Sequence, residues 1–139
     1  MADIMYLGQG IGLAAPQVGL GLSLIVVDTG EGLIKLVNPE ISDRSKEKTQ
    51  LEEGCLSLPG AIVNIKRSKT IKVRAQDENG NFFVKKFNEL TSKTVQHEID
   101  HLNGRLIIDY LGPIRRFITG RKLSSQKNPK KTCEVTCHE

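Results

Sequence analysis

The stretch NELTSKTVQHEIDHLNG, residues 88–104, decides the fold and centres it on one helix. Its apolar side chains approximate the 3.6-residue period of a helix with one buried face: Leu90, Val95, Ile99 and Leu102. Three residues are suited to cap the start of this helix: Asn88, Thr91 and Ser92. Asn103-Gly104 is a stop signal, so we expect the helix to end there.

The same helix carries the motif His97-Glu98-Ile99-Asp100-His101. Two histidines four residues apart lie on one helix face, so both imidazoles can reach a single metal ion. Glu98 projects beside them, where a carboxylate can accept a proton from an activated water. The motif therefore predicts a metal-dependent hydrolase; the alternative is a polar helix face with two ordinary histidines.

Two histidines do not complete such a site, because catalytic zinc-type ions usually take three protein ligands. The metzincin pattern requires a third histidine at the position of Ile107, and the only later Glu residues are Glu134 and Glu139 in the tail. The third ligand is therefore expected upstream, where Cys55 is the obvious candidate in a turn-rich setting. A lone cysteine is otherwise most often a small buried hydrophobic residue.

The rest of the chain is typical of short strands around this helix. Five segments are predicted as strands from their β-branched or alternating pattern: 22–28, 33–37, 62–66, 70–75 and 82–87. The Gly-rich residues 8–18 are predicted to be irregular and extended, and residues 42–50 a solvated loop or edge. Pro113 opens a second, basic helix through about Leu123.

These elements predict an α+β fold, with antiparallel strands packed around a central metal-binding helix and a C-terminal helix. We expect one catalytic domain over residues 1–123 and a basic, disordered tail over residues 124–139. Between Tyr110 and Thr132 the chain has seven Lys or Arg and no Asp or Glu, so its net charge of +4 originates there.

Composition limits the classes of protein that need to be considered. Hydrophobic residues make up 38% and charged residues 26% of the chain, as in a soluble globular protein. No apolar run reaches the roughly 18–20 residues that span a bilayer, so we expect no membrane association, and the start does not read as a secretory signal. Three cysteines make a disulfide framework improbable, which favours the reducing cytoplasm.

Three stretches together resemble the peptide deformylases. They are Gly10-Ile11-Gly12-Leu13-Ala14-Ala15-Pro16-Gln17, Glu53-Gly54-Cys55-Leu56-Ser57 and Gln96-His97-Glu98-Ile99-Asp100-His101-Leu102-Asn103-Gly104. They occur in the family's order, and the resemblance runs from about Asp3 to Leu123. Each motif alone is moderately specific, whereas the set is very specific.

The resemblance implies removal of the N-formyl group from formyl-methionine on nascent polypeptides. It implies three metal ligands: Cys55, His97 and His101. Glu98 would be the general base and acid, and the Gln17 side chain and the Leu56 backbone N–H would stabilise the oxyanion. The family's ion is normally Fe²⁺, with Zn²⁺, Ni²⁺ or Co²⁺ able to substitute.

The first motif also suggests how a substrate is held. Gly10 and Gly12 lack side chains, so an extended peptide can approach their backbone and pair as an added strand. Ile11 and Leu90 are predicted to line the pocket for the first side chain, although plain core packing is an equal alternative for both. The family pattern further suggests a salt bridge between Asp100 and Arg67.

The chain departs from the family pattern in two places. Only nine residues precede Gly10, so the chain is either a naturally short member or an incomplete sequence. Lys93 is expected to alter the rim of the pocket. Two other functions stay open: an inactive homologue that binds the ribosome through the basic C-terminal segment, and another His-Glu-x-x-His metallopeptidase.

Overall fold

The computed structural model describes residues 1–55 and 58–126; for residue 59 and residues 123–126 it describes the backbone. Within these ranges the chain forms three α-helices: α1 (Ala2–Leu7), α2 (Glu89–Leu102) and α3 (Pro113–Gln126). It also forms seven strands: β1 (Gly12–Ala14), β2 (Leu24–Val27), β3 (Ile34–Arg44), β4 (Lys48–Cys55), β5 (Leu58–Ser68), β6 (Thr70–Gln76) and β7 (Phe82–Asn88). Two short 3-10 helices span Ala15–Val18 and Ile107–Tyr110.

The described strands form two antiparallel sheets. The larger sheet has the order β1-β2-β3-β6-β7, and β4 pairs with β5 in a separate two-stranded sheet. The pairing of β3 with β6 contains two register shifts, which allow the long β3 to bend. Because β1 lies at an edge of the larger sheet, one side of its backbone has no partner among the described strands.

Helix α2 packs against the larger sheet and buries the apolar face that its period predicts. Val95 is fully buried and Ile99 is 8% exposed, both in the main core cluster. The remaining buried members of that cluster come mostly from alternating positions of the strands: Ala14, Ile25, Val27, Leu36, Ile71, Val73, Ala75 and Phe87. A second cluster fixes β5 against the 3-10 helix at Ile107.

The predicted α+β arrangement around a central helix is confirmed, including the C-terminal helix. A turn at Asn79-Gly80 joins β6 to β7, with Gly80 at φ +84°. Asn88 occupies the N-cap position of α2, but its side chain accepts a hydrogen bond from Thr70 Oγ1 (3.0 Å) and makes no cap bond. Helix α3 continues to Gln126, and residues 127–139 lie outside the described ranges, so the predicted division into domain and tail stays a prediction.

One local expectation was wrong. Residues 12–18 form a strand and a 3-10 helix, because Gln17 Oε1 accepts from Ala14 N (2.8 Å) and closes the turn. Residues 42–50 were expected to be a solvated loop or edge; most of them are solvent-exposed strand in β3 and β4, which lacks the apolar alternation that identifies a strand. Helix α1 was not predicted; its six residues are held by the burial of Met5 against Leu13 and Val26.

Helix α3 presents apolar side chains to solvent. Ile114, Phe117 and Ile118 are 77%, 64% and 48% exposed. None of the helices in the described part of the chain combines the length and apolar character needed to cross a bilayer.

Candidate metal centre

His97 and His101 on α2 and Cys55 at the end of β4 converge on one point. Their ligand atoms all lie within 4.8 Å of one another. The His101 Nε2 atom is 3.1 Å from both His97 Nε2 and Cys55 Sγ. Two imidazole nitrogens on one tetrahedral ion lie about 3.3 Å apart, so the spacing fits a shared cation. Cys55 ends a strand instead of lying in a turn, and the strand aims its thiol at the helix.

The His97 ring is oriented by a carboxylate. Its Nδ1 lies 2.9 Å from Glu53 Oε2, which leaves Nε2 to face His101 and Cys55. Burial opposes a charge on His97, but hydrogen bonds to Cys55 and Glu53, with the charges of Glu98 and Glu53, outweigh it and raise the pKa of His97 to about 10. A metal ligand must be the neutral imidazole, so binding of a cation releases this proton.

Glu53 is in turn held by Arg67. Arg67 is 4% exposed, and its Nε and Nη2 donate to both Glu53 oxygens (2.7 and 2.8 Å). Burial raises the pKa of Glu53, but the hydrogen bonds from Arg67 and His97 outweigh it and lower that pKa to about 2. Arg67, Glu53 and His97 therefore form a continuous chain of charge-assisted hydrogen bonds leading to the metal ligands.

Arg67 also binds helix α2 directly. Its Nη1 donates to Asp100 Oδ2 (2.6 Å) and to the Tyr110 hydroxyl (3.1 Å), and that hydroxyl donates to Asp100. The predicted Arg67–Asp100 salt bridge is confirmed. It joins β5 to the helix that carries both histidines, on the side opposite Glu98.

Glu98 is buried beside the three candidate ligands. Its side chain is 3% exposed, and Oε2 has no hydrogen-bond partner among the described residues. Burial raises the pKa of Glu98 to about 7, against the opposing charges of His97 and His101. A buried carboxylate with an unpartnered oxygen and a pKa near neutrality is suited to exchange protons with a bound molecule.

The Gln17 amide is aligned with the same point. Its Oε1 accepts from Ala14 N, which directs Nε2 towards Cys55 Sγ at 3.8 Å. The half-buried side chain thus presents an N–H donor at the cluster. Leu56, the other predicted oxyanion donor, lies outside the described residues.

Gly12 faces helix α2, which sequence reasoning did not anticipate. A Cβ built there would lie 2.6 Å from Glu98 Oε1 and 2.9 Å from both Glu98 Cγ and Thr94 Cγ2. We assigned this glycine to the approach of a substrate peptide. In the structure, β1 passes so close to Glu98 that residue 12 has no room for a side chain.

The substitution Gly12→Ala is expected to displace Glu98. We expect kcat/KM for hydrolysis to fall about 10²-fold, because misplacing a reacting group by 1 Å can cost that much. Overpacking should lower the free energy of unfolding by about 1–3 kcal/mol. Gly21→Ala is the matched control, because a Cβ there meets nothing within 4 Å. Equal kcat/KM for the two variants would contradict the assigned packing role.

A cleft of about 590 Å³ opens over the cluster. Its walls include the candidate site residues Cys55, His97, Glu98 and Gln17, and the four predicted substrate-binding residues: Gly10, Ile11, Gly12 and Leu90. Ile11 and Leu90 are 43% and 46% exposed, so neither belongs to the packed core. Lys93 and Thr94 complete the helix side of the cleft.

Sequence reasoning missed the supporting residues Glu53 and Gln96. Gln96 is 3% exposed; its Nε2 donates to Ser68 O (2.8 Å), which ties α2 to β5. For Glu53 a signal existed, because residues two apart on a strand share a face, and Glu53 precedes Cys55 by two. This spacing of Glu53 and Cys55 was not used because β4 was not recognised as a strand.

A thiolate and two imidazoles beside a buried carboxylate, at the base of a cleft, are typical of a metal-dependent hydrolase. Residues 1–117 match the family model for polypeptide deformylase. The peptide deformylase of Thermotoga neapolitana is 45% identical over 123 residues, covering 88% of this chain and 75% of that protein. The peptide deformylase of Baumannia cicadellinicola is 50% identical over 119 residues, with 84% and 71% covered.

Solved structures agree with these relatives. The peptide deformylase of Ehrlichia chaffeensis, crystallised with actinonin, superposes with a TM-score of 0.88 at 37% identity, covering 93% of this chain and 80% of that one. The Legionella pneumophila peptide deformylase gives a TM-score of 0.82 at 42% identity, with 90% and 75% covered. The chain belongs to the polypeptide deformylase family. Nothing in these comparisons favours either of the alternative functions.

Proposed function

We propose that this chain hydrolyses the N-formyl group of formyl-methionine at the start of nascent polypeptides and releases formate. The single observation that carries the proposal is the convergence of Cys55, His97 and His101 beside the buried carboxylate of Glu98. The family supports the same reaction.

The donor set determines which ion fits. One soft thiolate and two imidazoles suit Fe²⁺, Zn²⁺, Ni²⁺ or Co²⁺ and disfavour Mg²⁺ and Ca²⁺, which prefer oxygen ligands. We propose Fe²⁺ as the native ion, held by Cys55, His97 and His101. When bound, such an ion supplies Lewis acidity, which activates a water as nucleophile and polarises the formyl carbonyl.

The protein's own groups then manage the proton and the developing charge. Glu98 accepts the proton of the attacking water and delivers it to the departing amine nitrogen. Gln17 Nε2, already directed at the cluster, donates to the formyl oxygen as negative charge develops there. We propose the Leu56 backbone N–H as a second donor.

The substrate backbone is proposed to add to β1. That strand is an edge of the larger sheet and passes the cluster through Gly12, so a peptide paired with it lies along α2. Gly10 and Ile11 extend the same segment along the cleft, which Leu90 also lines. In this proposed pose the formyl carbon would lie at the three ligands.

The proposal is tested by product analysis. The chain is loaded with Fe²⁺ without oxygen and given formyl-Met-Ala-Ser and the same peptide without the formyl group. We expect stoichiometric formate and free Met-Ala-Ser from the first, and no cleavage of the second. Internal cleavage of either peptide would indicate a different metallopeptidase, and absence of turnover with bound iron would indicate an inactive homologue.

We further propose that the enzyme acts in the cytoplasm and contacts the ribosome through α3. The exposed basic side chains of that helix include Arg115 and Arg116, and Arg116 also pairs with Asp109. Binding of such a surface to RNA phosphates releases counterions, so the affinity for ribosomes should fall steeply with salt. Affinity that is independent of salt would contradict this contact.

A further inference from the structure

Lys93 is a largely buried lysine whose ammonium has no partner among the described residues. It is 7% exposed and makes no ion pair or hydrogen bond with any residue in the described ranges. Its Nζ is not among the fully buried unpartnered atoms, so the ammonium reaches the water of the cleft while the aliphatic stem is buried. Lys93 lines the cleft, so its charge is available to a molecule bound there.

The carboxylates of the same cleft do not neutralise Lys93. Glu53 is bound to Arg67 and His97, and Glu98 packs against Gly12. Glu52 is exposed and forms no ion pair with Lys93. Among the described residues that line the cleft, Lys93 is the one lysine or arginine, and no other described residue pairs with it.

The position of Lys93 identifies the part of a substrate that it meets. It precedes His97 by four residues, so it lies on the same face of α2, about 6 Å along the helix axis. In a formyl peptide whose formyl carbon lies at the metal ligands, the end of the first side chain is a similar distance from that carbon. Leu90 and Thr94 also line the cleft, so this wall is part apolar and part cationic.

We propose that Lys93 determines specificity by donating a hydrogen bond to an oxygen acceptor bonded to the δ atom of the substrate's first side chain. Glutamate, which is anionic, and methionine sulfoxide, which is neutral, both place an oxygen there. The inference rests on the proposed deformylation. Apolar first side chains use Leu90 and the aliphatic stem of Lys93, so they need no donor.

The test compares tripeptides that differ in the first residue alone. The iron-loaded chain and its Lys93→Met variant are assayed on peptides beginning with formyl-norleucine, formyl-glutamate and formyl-methionine sulfoxide. We expect Lys93→Met to lower kcat/KM about 10- to 100-fold for the glutamate peptide, as for loss of a charged hydrogen bond. The kcat/KM for the sulfoxide peptide should fall less, and that for the norleucine peptide should equal or exceed the wild-type value.

The controls separate this inference from the function on which it rests. Lys86→Met removes an exposed lysine on β7 and should leave the substrate ratios unchanged. If Lys93→Met lowered kcat/KM equally for all three peptides, or for none, the ratios among the peptides would match those of the wild-type chain. That result would overturn the role of Lys93. Failure of the wild-type chain to hydrolyse any of them would instead contradict deformylation.

Discussion

We expect the substitution Glu98→Gln to lower kcat about 10²- to 10⁴-fold while the metal content stays at one ion per chain. Glutamine keeps the shape of the side chain but cannot accept the proton of the attacking water. It also cannot donate a proton to the leaving amine with the facility of a carboxylic acid. The burial of Glu98 and its unpartnered Oε2 make the loss large, because no other described carboxylate in the cleft is placed to substitute.

The measurement combines formate release at saturating peptide with metal analysis of the same sample. Glu52→Gln is the matched control, since Glu52 lines the cleft but is exposed to solvent. We expect its kcat to remain close to that of the wild-type chain. If Glu98→Gln retained wild-type kcat with its ion bound, Glu98 would not be the proton carrier.

The second large effect is on stability. Arg67→Met leaves Glu53 and Asp100 as largely buried carboxylates without their cation. Removal of one member of a buried ion pair typically costs about 3–5 kcal/mol of folding free energy. The free energy of unfolding, measured by urea denaturation, should fall by that amount. Loss of the group that holds Glu53 should also weaken metal binding about 10- to 100-fold.

Two further variants test whether the fall in the free energy of unfolding comes from the hydrogen bonds of Arg67. Arg67→Lys retains the charge without the guanidinium fork that contacts both Glu53 oxygens, so its loss should be intermediate. Lys66→Met changes the neighbouring exposed residue of β5 and should alter the free energy of unfolding by less than about 0.5 kcal/mol. A loss in Arg67→Met no larger than in Lys66→Met would show that the buried network contributes nothing.

The sequence was sufficient for features that depend on local spacing. The position of α2 follows from its apolar period and from Asn103-Gly104. The pairing of His97 with His101 follows from the helical repeat, and Cys55 followed from the need for a third ligand. These inferences need no knowledge of which strands meet.

The remaining features depend on contacts between distant segments. Strand β4 was missed because its inward positions carry Thr49, Glu53 and Cys55 instead of apolar residues. Functional sites break the hydrophobic pattern in this way, since polar groups there are retained for their chemistry. The contact of Gly12 with Glu98 is likewise invisible without the packing of β1 on α2.

The central claim is that one sulfur and two imidazole nitrogens bind a single cation. X-ray absorption of the chain loaded with Zn²⁺ tests it most directly. We expect one sulfur at about 2.3 Å and two nitrogens at about 2.0–2.1 Å from the metal, with the sulfur lost in Cys55→Ala. A shell of nitrogen and oxygen alone, or a sulfur that persists in Cys55→Ala, would contradict the account.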